Sequence, residues 1–143
     1  MVWVAAARLR TLPLSVAGIV VGNALAIGND GFCPYVFAGT LLTAVVFQIL
    51  SNFANDYGDG LKGTDNHERI GPKRVLQQNL LSVKTLFKGI VITAVIGFLL
   101  AAGTIAIAFE MGELKSVLAF LALAVVAILA AYKYTAGKGA YGY

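Results

Sequence analysis

Charge is scarce in this chain: of 143 residues only 13% are Asp, Glu, Lys or Arg, against 59% hydrophobic, and the mean hydropathy is +0.81. A water-soluble domain carries about twice that share of charge, so the solvent is expected to be a lipid bilayer. Cysteine is represented once, at Cys33, which excludes an intrachain disulfide and any cysteine metal cluster. Histidine is represented once as well, by His67. A lone histidine in a polar stretch is usually solvated, and no catalytic role is assigned to it. No short repeat and no low-complexity tract is present outside the apolar runs. The formal charge of +4 does not point to nucleic acid, because long apolar runs interrupt the basic residues and leave no continuous basic surface.

The sequence does have four long apolar runs, placed at about residues 8–27, 34–55, 86–109 and 116–134. Each is near the roughly 20 residues needed to cross hydrocarbon. The expected fold is therefore all-α, a polytopic membrane helix bundle with four transmembrane helices. The first run can begin near Val2 as a partly amphipathic turn. It is not read as a secretory leader, because no small-residue cleavage site closes it. Gly18 and Gly22, four apart, fit a helix–helix contact.

Four crossings gather ten of the eleven basic residues on one side: Arg8, Arg10, Lys62, Arg69, Lys73, Arg74, Lys84, Lys88, Lys133 and Lys138, with Lys115 alone opposite. Three or five crossings would scatter them. The basic side, which holds the amino terminus and the polar connection 56–85, is expected to be cytoplasmic. The opposite connections, around Asp30 and Glu113, are short and turn-like. A long polar connection between closely linked helices is more often functional than idle.

The second apolar run leaves the membrane through Gln48, Ser51, Asn52, Asn55, Asp56 and Asp59. Polar groups at that depth are costly. Asn52, Asp56 and Asp59 are four and three residues apart, which on a continuing helix puts them on one face. Asp65 can fold back toward them. Oxygen donors so grouped suit Mg²⁺, a hard ion that binds through one or two carboxylates and phosphate oxygens. Lys62, Arg69, Lys73 and Arg74 follow and can neutralise a diphosphate. A calcium loop of the EF-hand kind is excluded by the spacing of Asp56, Asp59 and Asp65 and by the lack of a terminal glutamate. Taken singly, each of these charges is equally well a solvated loop residue. Their combination at a membrane exit is what points to chemistry.

The stretch SNFANDYGDGLKGTDNHERIGPKR, Ser51 to Arg74, closely resembles the first aspartate-rich region of the UbiA-type intramembrane prenyltransferases, in particular the branch that prenylates dihydroxynaphthoate. ARLRTLPLSVAGIVVGNALA, Ala7 to Ala26, looks like that family's first helix, and YKYTAGKGAYGY, Tyr132 to Tyr143, like the turn after its fourth. The wide gap between Asp59 and Asp65 fits the naphthoate branch better than the hydroxybenzoate branch.

The resemblance implies a bacterial inner-membrane enzyme of menaquinone synthesis. It would use Mg²⁺ to ionise an allylic polyprenyl diphosphate, and 1,4-dihydroxy-2-naphthoate would attack with loss of CO₂ to give demethylmenaquinol. It also implies that Asn52, Asp56 and Asp59 are catalytic and, with Asp65, hold the metal. Asn55, Lys62, Arg69, Lys73, Arg74 and, beyond the fourth span, Lys138 would face the diphosphate.

Asn23, inside the first span, reads either as an amide of the acceptor pocket or as an interhelical hydrogen bond. Tyr132 and Tyr134 read as interfacial anchors or as ring faces lining a cation's pocket. Family members are about twice this length and carry a second aspartate-rich motif, so these 143 residues are expected to be inactive by themselves, and to be either a piece of a longer chain, the favoured reading, or one half of a split enzyme. The rival functional reading is an ion path using Asn52 and Asp56, which requires polar groups right across the membrane. The second run offers only Thr40 and Thr43 over its apolar part.

Overall fold

The computed structural model describes residues 2–29, 31–64, 72–109 and 113–142. Among them the secondary structure is helical throughout: α1 (Val2–Ala7), a single 3-10 turn (Leu9–Thr11), α2 (Leu12–Ile27), α3 (Pro34–Lys62), α4 (Val83–Ala108) and α5 (Leu114–Thr135). Four stretches are long and apolar enough to cross a membrane, Val2–Ile27, Pro34–Lys62, Val83–Ala108 and Leu114–Thr135. The protein is thus an all-α, multi-pass membrane protein, as its composition leads one to expect.

The helix boundaries follow local chemistry. Pro13 and Pro34 sit in the first turns of α2 and α3, where a missing N–H costs nothing. Ser82 caps α4, its side chain accepting from the Thr85 N–H at 3.1 Å. Gly63, at φ 70°, closes α3 in the left-handed conformation, with its N–H turned back to the Asp59 carbonyl. α3 therefore runs 29 residues, past the apolar run and on through the acidic residues.

α3 is the hub. It packs against α1, α2, α4 and α5, and the largest buried cluster, Ala6, Ala7, Leu50, Phe53, Ala54, Val75, Leu86 and Ile90, gathers around its second half. Trp3 of α1 closes that cluster, its ring 5.5 Å from that of Phe53. Its ring abuts Gly89, where a Cβ would stand 2.6 Å from the indole, so this docking of α1 requires that position 89 have no side chain. Gly18 and Gly22 differ from the sequence expectation: no atom of a neighbouring element lies within 4 Å of either Cβ position among the described residues. Their face of α2 is uncovered.

Candidate functional site

The polar end of α3 is brought together with three distant segments. Asp56, 1% exposed, and Asn52, 3% exposed, are the two most buried polar residues of the chain's described part. Burying a carboxylate this completely requires compensating charge, and two guanidiniums supply it. Asp56 Oδ1 accepts from Arg8 Nη2 and from Arg74 Nη1. Arg74 continues to Asp59, its Nη2 3.3 Å from Oδ2, so one side chain spans the two carboxylates that the helical spacing puts on one face.

Arg8 reaches this position through a break in the helix. Its backbone is left-handed (φ 50°, ψ 58°), a conformation that costs a non-glycine residue about 1–2 kcal/mol. The break separates α1 from the 3-10 turn and aims the guanidinium at α3, 48 residues away. Non-glycine backbone strain of this kind is concentrated at functional sites. Asn52 secures the same segment, donating from Nδ2 to the Ala7 carbonyl at 2.8 Å and to Thr11 Oγ1 at 2.9 Å. Its Oδ1 faces Gln48 Nε2 at 3.4 Å.

Asp56, Arg8 and Arg74 line a cleft of about 680 Å³ together with Arg10 and Lys73, with Val4 and Leu9 on its apolar wall. The residues suggested by the sequence do not all meet there. Asn55, next to Asp56 but about 100° around the helix, accepts from Thr135 Oγ1 at 3.2 Å, and the same hydroxyl lies 3.0 Å from the Ala54 carbonyl.

Lys62 and Lys138 line a separate, smaller cleft of about 290 Å³ with Gly58 and Thr135. Asn23 lies about 18 Å along the helical rise from Thr11 and donates to the carbonyl of Ile19 in its own helix. Tyr132 joins Tyr57 and Phe87 in a cluster of rings 5.5–6.5 Å apart, and Tyr134 packs on Tyr141. Asp65 and Arg69 fall outside the described residues.

Sequence reasoning placed Arg8 only on a topological side and missed Thr11 and Thr135. Arg8 precedes its partner by 48 residues and Thr135 follows its own by 80, separations that helical periodicity does not register. A local signal existed for Arg8 alone, as an arginine at the start of an apolar span with no nearby acid.

Among the described residues no three His, Cys, Asp or Glu side chains converge as a metal cluster. What converges instead is the two carboxylates of Asp56 and Asp59 and two cations. That donor set is all oxygen, and in the structure its negative charge is already balanced by positive charge bridging Asp56 and Asp59. It fits Mg²⁺ of the kind completed by phosphate oxygens.

Comparison with known proteins bears on the same residues. The chain is 44% identical over 143 residues to the 1,4-dihydroxy-2-naphthoate octaprenyltransferase of Haemophilus influenzae, aligning 99% of itself with 46% of that protein. The enzyme of the same name from Escherichia coli is 41% identical over 141 residues, with 99% and 45% covered. This chain is similar to the amino-terminal half of those octaprenyltransferases. The namesake from Mycobacterium tuberculosis is 33% identical over 141 residues, again over 99% of this chain and 45% of its own length. The chain thus spans about half the length of the curated relatives it matches. No family model matches it, and no solved structure matches it significantly.

Proposed function

We propose that this chain forms the diphosphate-binding part of a magnesium-dependent polyprenyltransferase that joins a polyprenyl group to 1,4-dihydroxy-2-naphthoate. The observation that carries the reading is the Asp56–Arg8–Arg74–Asp59 cluster, built on a buried carboxylate, beside a cleft lined by Arg8, Arg10, Lys73 and Arg74. Likeness to octaprenyltransferases named for that acceptor supports the choice of substrates.

In the overall reaction the bond between the allylic carbon and the diphosphate oxygen breaks, and that carbon bonds to the ring carbon bearing the carboxylate. The carboxylate leaves as CO₂, returning its electron pair to the ring, and the product is demethylmenaquinol, a menaquinone precursor. Arg8, Arg74, Lys73 and Arg10 would bind and neutralise the diphosphate as negative charge develops on it, the arginines by paired N–H donors. Asp56 and Asp59 would hold Mg²⁺ with the Asn52 oxygen, and the bound ion would supply Lewis-acid stabilisation of the leaving diphosphate. Val4 and Leu9 would shield the reacting carbon from water.

The positive-inside rule, applied to the ten basic residues that four crossings gather on one side of the sequence, supports a cytoplasmic placement of this end in a bacterial inner membrane. Across the rest of the span, a second cleft of about 290 Å³ is walled by Thr40, Thr43, Thr104, Phe47 and Phe120. Its three hydroxyls donate to carbonyls of their own helices, which among the described residues offers no continuous polar track and does not favour an ion path.

The test is prenyl transfer by the full-length protein in lipid nanodiscs, given a polyprenyl diphosphate and 1,4-dihydroxy-2-naphthoate. Demethylmenaquinol should form with Mg²⁺ and cease on chelation. A folded protein that makes no product with these substrates would overturn the reading.

A further inference from the structure

We propose that Arg8 keeps the acidic site closed to a lone divalent cation until diphosphate draws its guanidinium away, so that metal and diphosphate bind in a mutually dependent way. This rests on the reading of the cleft as a metal–diphosphate site. In the structure two carboxylates, the buried one of Asp56 and the partly exposed one of Asp59, are balanced by two guanidiniums, those of Arg8 and Arg74. The formal charges of these four side chains therefore cancel. A divalent cation arriving alone at Asp56 must approach two fixed positive charges in a site where Asp56 is almost fully dry, and like charges repel more strongly there than in water.

A diphosphate reverses the balance. Its oxygens offer the guanidiniums better partners than a shared carboxylate oxygen does, and each arginine that turns to phosphate leaves an Asp56 lone pair open to the metal.

Arg8 is the arginine placed to turn. Arg74 is tied to both acids, and its side chain is 11% exposed; Arg8 pairs, among the described residues, with Asp56 alone, its side chain is 19% exposed, and it lies in the left-handed break between α1 and α2. Arg10 and Lys73 line the same cleft and make no ion pair among the described residues, which suits them to meet the incoming anion first. By linkage, whatever factor diphosphate adds to metal affinity, metal adds to diphosphate affinity.

The experiment titrates the full-length protein, in nanodiscs of uncharged lipid, with Mn²⁺ followed by the spin resonance of the free ion, with and without inorganic diphosphate and against empty nanodiscs. Wild type should bind Mn²⁺ weakly alone and about tenfold or more tightly with diphosphate present. Arg8→Gln should bind Mn²⁺ alone about tenfold more tightly than wild type, with the benefit of diphosphate reduced to match. Arg8→Lys, which keeps the charge on a single ammonium, should lie between them, and it carries the test if Arg8→Gln does not fold. A residue that merely supported the fold would weaken metal binding when replaced.

The proposal is overturned if the Arg8 variants bind Mn²⁺ alone no better than wild type, or if diphosphate leaves wild-type affinity unchanged. Asp56→Asn separates the two levels. Loss of Mn²⁺ binding there with no gain in the Arg8 variants sinks the Arg8 role alone, whereas undiminished binding in Asp56→Asn sinks the metal site itself.

Discussion

The two halves of α3 solve the same problem differently. From Pro34 to Phe47 the helix has two polar side chains, Thr40 and Thr43, and both hydroxyls donate to carbonyls of their own helix. From Gln48 to Lys62 the polar side chains include the most buried ones in the described chain, and they bond to partners 18 to 80 residues away. Local satisfaction makes a helix that is content in lipid wherever it lies. Distant satisfaction makes one whose burial depends on the fold, and it concentrates charge, strain and cleft at a single end of the bundle.

The sharpest way to break that contrast is to remove the central charge. Asp56→Ala in the full-length protein is expected to abolish prenyl transfer. It should also cost about 3–5 kcal/mol of stability, because two guanidiniums lose the carboxylate between them; thermal unfolding beside a product assay measures both.

A second break acts through shape. A Cβ at Gly58 would stand 2.5 Å from the Thr135 backbone, so Gly58→Ala should push α5 off the polar end at a cost of about 1–3 kcal/mol. Gly103, a helix-interior position with open space around it, is the control: Gly103→Ala should be stabilising by about 0.5–1 kcal/mol. Equal and opposite shifts in unfolding temperature would sharpen the comparison, and two stabilising results would erase it.

The smallest effects come from single hydroxyls. Thr135→Val removes the link from α5 to Ala54 and Asn55 and should cost about 0.5–1.5 kcal/mol. Thr43→Val, in the lipid-side half, removes only an in-helix bond and should stay within about 0.5 kcal/mol of wild type. A destabilisation by Thr43→Val as large as that of Thr135→Val would show that the outer half also depends on its polar groups.

Most of the architecture was legible because hydropathy is a direct readout of solvent. Four apolar runs gave four membrane-long helices, and the three- and four-residue steps among Asn52, Asp56 and Asp59 gave one acidic face, since α3 does continue through all three. The cluster as a whole was not legible. Arg8 arrives through a left-handed backbone break that no periodicity announces. Asn55 and Lys138, which motif resemblance grouped with Asp56, lie on other faces: Asn55 on Thr135, and Lys138 in the smaller cleft with Lys62. A motif records which residues occur together in sequence. The helical screw and the partners contributed by α1, α2 and α5 decide which of them share a cavity.

The account stands most directly on the charge at Asp56. Asp56→Asn keeps the shape and most of the hydrogen-bonding capacity of that side chain and removes only its charge. The decisive measurement is single-turnover prenyl transfer to 1,4-dihydroxy-2-naphthoate by full-length Asp56→Asn protein, compared with Thr43→Val in the same nanodiscs. The account predicts no detectable product from the first and wild-type rates from the second. Product formation by Asp56→Asn at a rate near that of wild type would contradict it.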